Sequence, residues 1–198
     1  MVDQFYDYEA RKGIRPIAWQ DYFGLCKGLA LAVAPFQPEI ILGIMRGGLY
    51  PAALLSHFLR IDMFPIRLTR RQNDRVVHDM PRWVLQPPAT EVHGRRVLIV
   101  DEICSEGITL RMAEQEAQTL GAVEVRSAVL YAHTWGQGVP DYIGLITDEL
   151  IMNPWDREVV TDGRFVFHPE YAHALEQQGL RPDPALLIGV EPYPLAKG

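Results

Sequence analysis

Two adjacent carboxylates follow a strongly apolar segment in the middle of the chain. Asp101 and Glu102 come directly after Val97-Leu98-Ile99-Val100, and Gly107 and Thr109 lie a few residues further on. Paired carboxylates can hold ribose hydroxyl groups or a hydrated Mg²⁺ ion, and the N–H groups of a short loop and a helix N-terminus can hold a phosphate. The segment therefore favours a site for a phosphorylated ligand. An acidic strand end before an ordinary helix cap is the structural alternative.

A second turn with glycines lies earlier, where Arg46-Gly47-Gly48 follows an apolar run over residues 40–45. Glycines let backbone N–H groups approach an anion closely, and an arginine adds a charged donor. Residues 60–96 contain eight arginines against four acidic residues, although the whole chain carries a net charge of −6. This local excess of arginine suits a small anionic ligand. A plain glycine-rich turn is the alternative.

The order of apolar segments predicts the elements that position these two loops. Periodic apolar residues predict helices, and short continuous apolar runs predict buried strands. The predicted helices cover about residues 17–33, 49–59, 109–120 and a short stretch after 168, and the predicted strands about 40–45, 63–68, 96–100, 125–131, 142–147 and 150–152. This alternation predicts an α/β fold, a mostly parallel twisted sheet with helices on both faces. Ligands of such sheets bind at the carboxyl ends of the strands.

Length and composition restrict the class of protein. The 198 residues, 48% of them hydrophobic, suit one globular domain. No apolar run approaches the ~20 residues of a membrane helix. The two cysteines predict neither a disulfide framework nor a metal cluster, and the negative charge argues against nucleic acid as the main partner. The start of the chain does not have the pattern of a secretory signal, so we expect a cytoplasmic protein.

Three segments resemble those of one enzyme family. Residues 97–110 resemble the diphosphoribosyl-binding signature of type I phosphoribosyltransferases, in which a hydrophobic strand, two acids and a phosphate loop follow one another. Residues 43–52 resemble the pyrophosphate-binding loop of bacterial purine phosphoribosyltransferases. Pro154-Trp155-Asp156 resembles the end of the base-binding region in the bacterial xanthine-guanine and hypoxanthine members. The three matches occur in the family's order over residues 39–160, and they imply the type I phosphoribosyltransferase fold with a flap.

The resemblance implies a reaction. A 5-phosphoribosyl group would pass from phosphoribosyl diphosphate to a nucleobase, as in purine salvage, with Mg²⁺ as cofactor and pyrophosphate as the leaving group. Because the ribosyl carbon becomes cation-like, such an enzyme must clamp anionic groups and exclude water. The resemblance also implies a homodimer. We expect one domain over residues 1–198, with a flap at about 69–94 and a base-binding segment at about 132–160.

The resemblance further assigns roles to individual residues. Pyrophosphate is expected on Arg46, Gly47 and Gly48. The ribose hydroxyl groups and Mg²⁺ are expected on Asp101 and Glu102, which are the expected catalytic residues together with Glu106. The other expected contacts are the 5-phosphate on Ser105, Gly107, Ile108 and Thr109, the base on Leu150, Ile151 and Asp156, and the closing flap around Arg70 and Arg71.

The phosphate loop departs from the family pattern. An acid and then a threonine usually precede the glycine, whereas this chain has Ser105 and then Glu106. A carboxylate at the second position would face the 5-phosphate, and like charges at contact distance repel strongly. One alternative is that Ser105 donates to the phosphate while Glu106 turns toward the base. Another is a non-catalytic regulatory protein on the same fold, which binds a phosphoribosyl ligand or a nucleoside monophosphate.

The base-binding segment departs as well. An aromatic residue commonly lies a few positions before the Pro-Trp-Asp triplet, where this chain has Leu150. The lysine expected after the preceding strand is absent, and His133 or Trp135 could take its place. The identity of the base therefore stays open. A nucleotide-binding α/β domain of another family would rest on the fold alone.

Overall fold

The computed structural model describes residues 8–72, 75–190 and 192, which belong to two compact units. The sheet unit comprises residues 20–148, and the second unit comprises residues 8–19 with residues 149–190. The first seven residues, on which the prediction about a secretory signal rests, lie outside the described residues, as do residues 73 and 74 of the predicted flap. The single domain over residues 1–198 stays a prediction.

The elements follow the predicted alternation closely. The helices are α1 (Trp19–Val33), α2 (Leu49–Leu59), α3 (Ala89–Val92), α4 (Ile108–Thr119) and α5 (Pro169–Gln177), with 3₁₀ turns at Ala34–Phe36 and Pro184–Leu186. The strands are β1 (Ile14–Pro16), β2 (Ile40–Ile44), β3 (Met63–Thr69), β4 (Arg71–Gln72), β5 (Arg75–Val76), β6 (Arg82–Leu85), β7 (Arg96–Cys104), β8 (Glu124–Ala132), β9 (Tyr142–Ile146), β10 (Leu150–Met152), β11 (Glu158–Thr161) and β12 (Arg164–Phe167). In the described part of the chain, no helix is long and apolar enough to cross a membrane.

The sheet unit is built on one six-stranded sheet in the order β6-β3-β2-β7-β8-β9. The pairs from β3 to β9 are parallel, and β6 runs antiparallel beside β3. Helix α2 connects β2 to β3 and helix α4 connects β7 to β8, in opposite directions along the sheet. Because such crossovers are right-handed, the two helices lie on opposite faces. The predicted α/β fold with a mostly parallel sheet is confirmed.

Strand β2 has a continuous apolar sequence, and all five of its residues are buried, as expected for a central strand covered on both faces. Ile40, Leu42 and Ile44 belong to one apolar cluster with Leu110 and Ala113 of α4. The residues between them in β2 are buried as well, so side chains pack on both faces of the strand. This packing fixes the strand from which the first predicted anion-binding turn leaves.

The carboxyl ends of β2 and β7 enclose the crevice where ligands of open α/β sheets bind, because the chain leaves these neighbouring strands in opposite directions. Strand β2 ends directly before the Arg46-Gly47-Gly48 turn, and Asp101 and Glu102 lie near the end of β7. The register pairs Gly43 with Val100, so the residues that follow them lie side by side. The two predicted anion-binding segments therefore meet.

One local prediction differs from the structure. Strand β7 continues four residues beyond its predicted end, and the prediction of a loop from Ile103 is wrong, because Cys104 still pairs with Ala132 of β8. For residues 69–94 we predict a lid or a small hairpin, and this segment contains the antiparallel β4–β5 hairpin, β6 and α3. Its function as a mobile flap stays a prediction.

The second unit pairs β1 with β10 in parallel and β11 with β12 as an antiparallel hairpin. The hairpin turns at Asp162 and Gly163, both with positive φ, a conformation that Asp-Gly favours. The predicted strand over residues 150–152 and the predicted helix after residue 168 are confirmed as β10 and α5. Leu150, Met152 and Leu175 are among the residues of its apolar core.

A buried arginine ties the segments of the second unit together. Arg157 donates Nε–H to the Met152 carbonyl oxygen and Nη1–H to that of Leu186, both at 3.2 Å, and Nη2–H to that of Ile17 at 2.5 Å. Burial lowers the pKa of the Arg157 guanidinium from its ordinary value. The three hydrogen bonds join β10, the residue after β1 and the 3₁₀ turn at Pro184–Leu186 around one side chain, and the Met152 carbonyl oxygen also accepts a hydrogen bond from the Ile17 N–H at 3.0 Å.

We expect Arg157→Gln to lower the free energy of unfolding by about 2–4 kcal/mol, because the shorter amide cannot reach all three carbonyl oxygens. Arg164→Gln, at an exposed arginine of the same unit, is the matched control and should change it by less than about 0.5 kcal/mol. Chemical denaturation of the purified variants measures both values. Equal stability of the two variants would contradict the structural role of Arg157.

Candidate functional site

The turn after β2 lies directly on the backbone of β7. A Cβ atom at Gly48 would be 2.6 Å from the Ile44 carbonyl oxygen and 2.8 Å from the Cα atom of Asp101. Both distances are shorter than real Cβ contacts, so only glycine fits at this position. Gly48 therefore brings the end of β2 and the start of α2 against the acidic end of β7.

The adjacent glycine makes room for a carboxylate. A Cβ atom at Gly47 would overlap the Oε2 atom of Glu102 and would lie 2.6 Å from its Cδ atom. Arg46 precedes the two glycines with an exposed side chain, after a cis Met45–Arg46 peptide bond. The structure thus brings together the predicted Arg-Gly-Gly turn and the predicted acidic pair, which are more than fifty residues apart in the sequence.

The loop after β7 turns into α4 through a glycine in the left-handed region. Gly107 has a φ of 73°, and a Cβ atom there would lie within 2.6–2.9 Å of the side chain of Val139. Among the described residues, no backbone hydrogen bond uses the N–H groups of residues 106–109. Because α4 is a twelve-residue helix, its N-terminus adds a partial positive charge to these donors. The loop can therefore accept an anion.

The loop is held on both sides by hydrogen bonds to its carbonyl groups. Arg111 of α4 donates Nη2–H to the Glu106 carbonyl oxygen at 2.6 Å, and His133 donates its backbone N–H to the Cys104 carbonyl oxygen at 3.1 Å. Ser105 is half-buried, and the Glu106 side chain is exposed. Solvent screens an exposed carboxylate, so the repulsion expected between Glu106 and a bound phosphate is weakened.

The acidic pair is only partly hydrated. Burial raises the pKa of the Asp101 carboxyl from 3.8 to about 7, and the hydrogen bond that it accepts from the Glu102 N–H at 2.7 Å opposes this rise. In the described part of the chain, no cluster of three or more histidine, cysteine or acidic residues could hold a metal ion by itself. A cation at Asp101 and Glu102 would need further oxygen ligands from water or substrate.

Sequence reasoning missed two tyrosines near Glu102. Tyr22 of α1 and Tyr131 of β8 are buried, and burial raises the pKa of both hydroxyl groups, with a smaller contribution from the charge of Glu102. The apolar spacing of α1 identifies Tyr22 as a core residue, but it contains no signal for a nearby carboxylate.

The predicted base-binding residues lie in the second unit and are described by themselves. Leu150 is 3% exposed in the core of this unit, Ile151 is also buried, and Asp156 is exposed. The Asp156 backbone N–H bonds to the Asn153 carbonyl oxygen at 3.3 Å, and its carboxylate accepts a hydrogen bond from Tyr171 at 3.4 Å. A short turn thus presents Asp156 to solvent.

The predicted flap arginines lie at the start of the β4–β5 hairpin. Arg70 donates Nε–H to the His78 carbonyl oxygen at 3.0 Å, and the Arg71 backbone N–H bonds to the Thr69 hydroxyl oxygen at 3.0 Å. Both arginines are half-buried. These bonds define the hairpin base, and the part that either guanidinium takes in binding a diphosphate stays a prediction.

Comparison with protein families finds one match, described as a phosphoribosyl transferase domain, over residues 12–161. The xanthine-guanine phosphoribosyltransferase of Nitratidesulfovibrio vulgaris strain Hildenborough is 28% identical over 150 residues, which cover 73% of this chain and 85% of that protein. Residues 12–161 contain both predicted anion-binding segments and the Pro-Trp-Asp triplet.

Two solved structures are also similar. A purine phosphoribosyltransferase from Pyrococcus horikoshii Ot3 has a TM-score of 0.65 and 29% identity, covering 76% of this chain and 99% of that one. The Helicobacter pylori xanthine-guanine-hypoxanthine phosphoribosyltransferase has a TM-score of 0.60, covering 73% of this chain and 93% of that one. With 19% identity, this second likeness concerns the fold alone.

The raised pKa of Asp101 predicts a pH-dependent stability. Because the pKa is higher in the folded than in the unfolded chain, ionisation of Asp101 destabilises the fold as the pH rises from 3.8 to about 7. Above about pH 8, we expect the free energy of unfolding of Asp101→Asn to be about 1–3 kcal/mol higher than that of the natural protein. This difference should vanish toward about pH 4.

Denaturant titrations at the two pH values, with a chelator present, measure this difference. Asp62→Asn, at an exposed aspartate of the same unit, is the matched control and should stay within about 0.5 kcal/mol at both pH values. A stability difference between Asp101→Asn and the natural protein that is independent of pH would contradict the assignment.

Proposed function

The chain belongs to the phosphoribosyl transferase domain family, and on that premise we propose that it transfers a 5-phosphoribosyl group from phosphoribosyl diphosphate to a purine base and releases pyrophosphate. The observation that carries the proposal is the contact of Gly47 with the Glu102 carboxylate, which unites the two anion-binding segments. The names of the similar proteins, a xanthine-guanine and a purine phosphoribosyltransferase, support a purine as the acceptor.

In this proposal the Arg46-Gly47-Gly48 turn binds the diphosphate. The Arg46 guanidinium is exposed beside two glycines, where a phosphate oxygen can approach the backbone closely. A charged donor and preorganised N–H groups stabilise the negative charge that pyrophosphate gains as it leaves. The turn would therefore act mainly on the leaving group.

The 5-phosphate binds at the N-terminus of α4. The N–H groups of Gly107, Ile108 and Thr109 and the hydroxyl groups of Ser105 and Thr109 are the donors that we assign to it. The left-handed conformation of Gly107 and the hydrogen bond from Arg111 to the loop support this assignment, because they keep the loop in place before a ligand arrives.

Asp101 and Glu102 fit a Mg²⁺ ion. Both are hard oxygen ligands, and the cost of burying the Asp101 charge falls when a cation compensates it. When bound together with the substrate, Mg²⁺ would neutralise charge on the diphosphate. The same carboxylates accept hydrogen bonds from the ribose hydroxyl groups and so orient the sugar.

The remaining roles follow the resemblance. Glu106, whose carboxylate is exposed, exchanges a proton with the base, and Arg70 and Arg71 close over the diphosphate. Asp156, which is exposed, binds an edge of the base. The resemblance also assigns base contacts to Leu150 and Ile151, but both side chains are buried, so we do not propose that they contact the base. A homodimer and a cytoplasmic location belong to the same proposal.

Turnover tests the proposal directly. We expect the purified protein with Mg²⁺ and phosphoribosyl diphosphate to release pyrophosphate in the presence of at least one of guanine, xanthine, hypoxanthine and adenine. Glu102→Gln should lower kcat/KM by at least about a hundredfold, because it removes one of two charges that orient sugar and metal. Glu176→Gln, at an exposed glutamate of α5, is the matched control and should keep the natural rate.

The Glu106→Thr variant distinguishes a protein that catalyses the transfer from one that only binds the ligand. Since the Glu106 side chain is exposed, we expect this variant to change the KM for phosphoribosyl diphosphate by less than about tenfold. Release of pyrophosphate with none of the four bases, by the natural protein, would contradict the proposed transfer. Turnover that appears only in Glu106→Thr would instead support a non-catalytic binding protein.

A further inference from the structure

A large exposed aromatic side chain belongs to the loop whose backbone contacts Ser105. Trp135 follows the end of β8 by three residues and is 46% exposed. Its ring stacks on the imidazole of His133, with ring centroids 4.6 Å apart and an angle of 19° between the planes. Exposed tryptophans in rigid loops beside a ligand site are frequent contact residues, because they offer a large flat surface at little entropic cost.

The loop that carries Trp135 is fixed on the side of β9. His133 is fully buried, and its Nδ1 atom lies 2.7 Å from the Thr147 carbonyl oxygen. Thr134 donates its backbone N–H and its hydroxyl group to the Asp148 carboxylate, each at 2.9 Å. The residues on the N-terminal side of Trp135 therefore hold its backbone in place.

The same loop is fixed to the phosphate loop on the other side. A Cβ atom at Gly136 would overlap the Ser105 carbonyl oxygen and would lie 2.8 Å from that of Cys104. The Cys104 thiol donates to the Gly136 carbonyl oxygen at 3.5 Å. Trp135 is thus one residue from a backbone contact with Ser105, the first residue of the proposed 5-phosphate loop.

We propose that the exposed indole of Trp135 is the stacking surface for the purine base. This inference rests on the proposed function, since it names the residue that binds the base in that reaction. In a nucleotide the base and the 5-phosphate are joined to one ribose. The side chain on which the base stacks must therefore lie about the length of one ribose away from the phosphate loop. The Trp135 loop, which contacts Ser105, meets this requirement.

The surroundings of Leu150 support the same assignment. Leu150 stands where family members commonly have an aromatic residue, but its side chain is 3% exposed and packs in the apolar core of the second unit. It has almost no surface left to offer a base. An indole stacks on any purine, so a Trp135 platform would tolerate different purines, with their polar edges recognised elsewhere.

Kinetics and fluorescence of the full chain test the proposal together. We expect Trp135→Leu to raise the KM for the purine base at least about fivefold, the lower limit for a lost base–aromatic stack, and to change the KM for phosphoribosyl diphosphate by less than about twofold. Trp135→Phe should restore much of the base affinity. Phe58→Leu, at an exposed aromatic residue that also contacts a ring, is the matched control.

The second readout does not depend on turnover. Inosine or guanosine 5-monophosphate should quench the tryptophan fluorescence of the natural protein and of Phe58→Leu. The quenching should be much smaller in Trp135→Phe, where only the other tryptophans, including Trp155 beside Asp156, can contribute. An unchanged KM for the base in Trp135→Leu, or full quenching in Trp135→Phe, would overturn base stacking on Trp135 but would not contradict the transfer reaction. Quenching through Trp135 in a protein that turns over no base would support base stacking on Trp135 and overturn the proposed function. If neither quenching nor turnover is observed, base stacking on Trp135 and the proposed function are both overturned.

Discussion

The close approach of the turn after β2 to the end of β7 is the constraint on which the candidate site depends. Gly48 lets the turn pack on the backbone of Asp101, and Gly47 leaves the space that the Glu102 carboxylate occupies. Any side chain at Gly48 would collide with backbone atoms, which cannot move aside without disturbing two central strands. In the proposed reaction, the turn and the pair of carboxylates act on one ligand only because both glycines are present.

The order of the strands extends this arrangement across the sheet. Strands β2, β7 and β8 are neighbours, and their carboxyl ends carry the Arg-Gly-Gly turn, the acidic pair with the phosphate loop, and the Trp135 loop in that order. In the proposed reaction these three strand ends hold the diphosphate, the ribose with its 5-phosphate, and the acceptor base, which replaces the diphosphate on the same ribosyl carbon. The cost of burying Asp101, seen in its pKa of about 7, is the electrostatic strain that a bound cation would relieve.

Local patterns in the sequence predict much of this fold. Continuous apolar runs identify β2 and β10, helical spacing identifies α1, and the glycines and acids of both predicted anion-binding segments are recognisable from residue type. The length of β7 is not predicted, because its charged residues suggest an end where pairing with β8 continues. The β11–β12 hairpin is outside the predicted elements, although Asp162-Gly163 between apolar residues is a local hairpin signal.

Contacts between residues far apart in the chain could not be predicted from the sequence. The overlap of Gly47 with Glu102, and the contact of Gly136 with Ser105, depend on the register of parallel strands that are joined by long crossovers. The burial of Leu150 likewise depends on α5, some twenty residues later in the chain. Residue types suggest which groups can act, whereas only the packing decides which of them meet.

Calorimetric titration of phosphoribosyl diphosphate with Mg²⁺ into the natural protein and into Gly47→Ala is the most direct test of the central claim. The added Cβ meets the far end of the flexible Glu102 side chain, so we expect little change in stability but at least about a tenfold loss of affinity. Gly28→Ala, on an exposed position of α1 with open space around it, should bind like the natural protein. Equal affinity of Gly47→Ala and the natural protein would contradict the account.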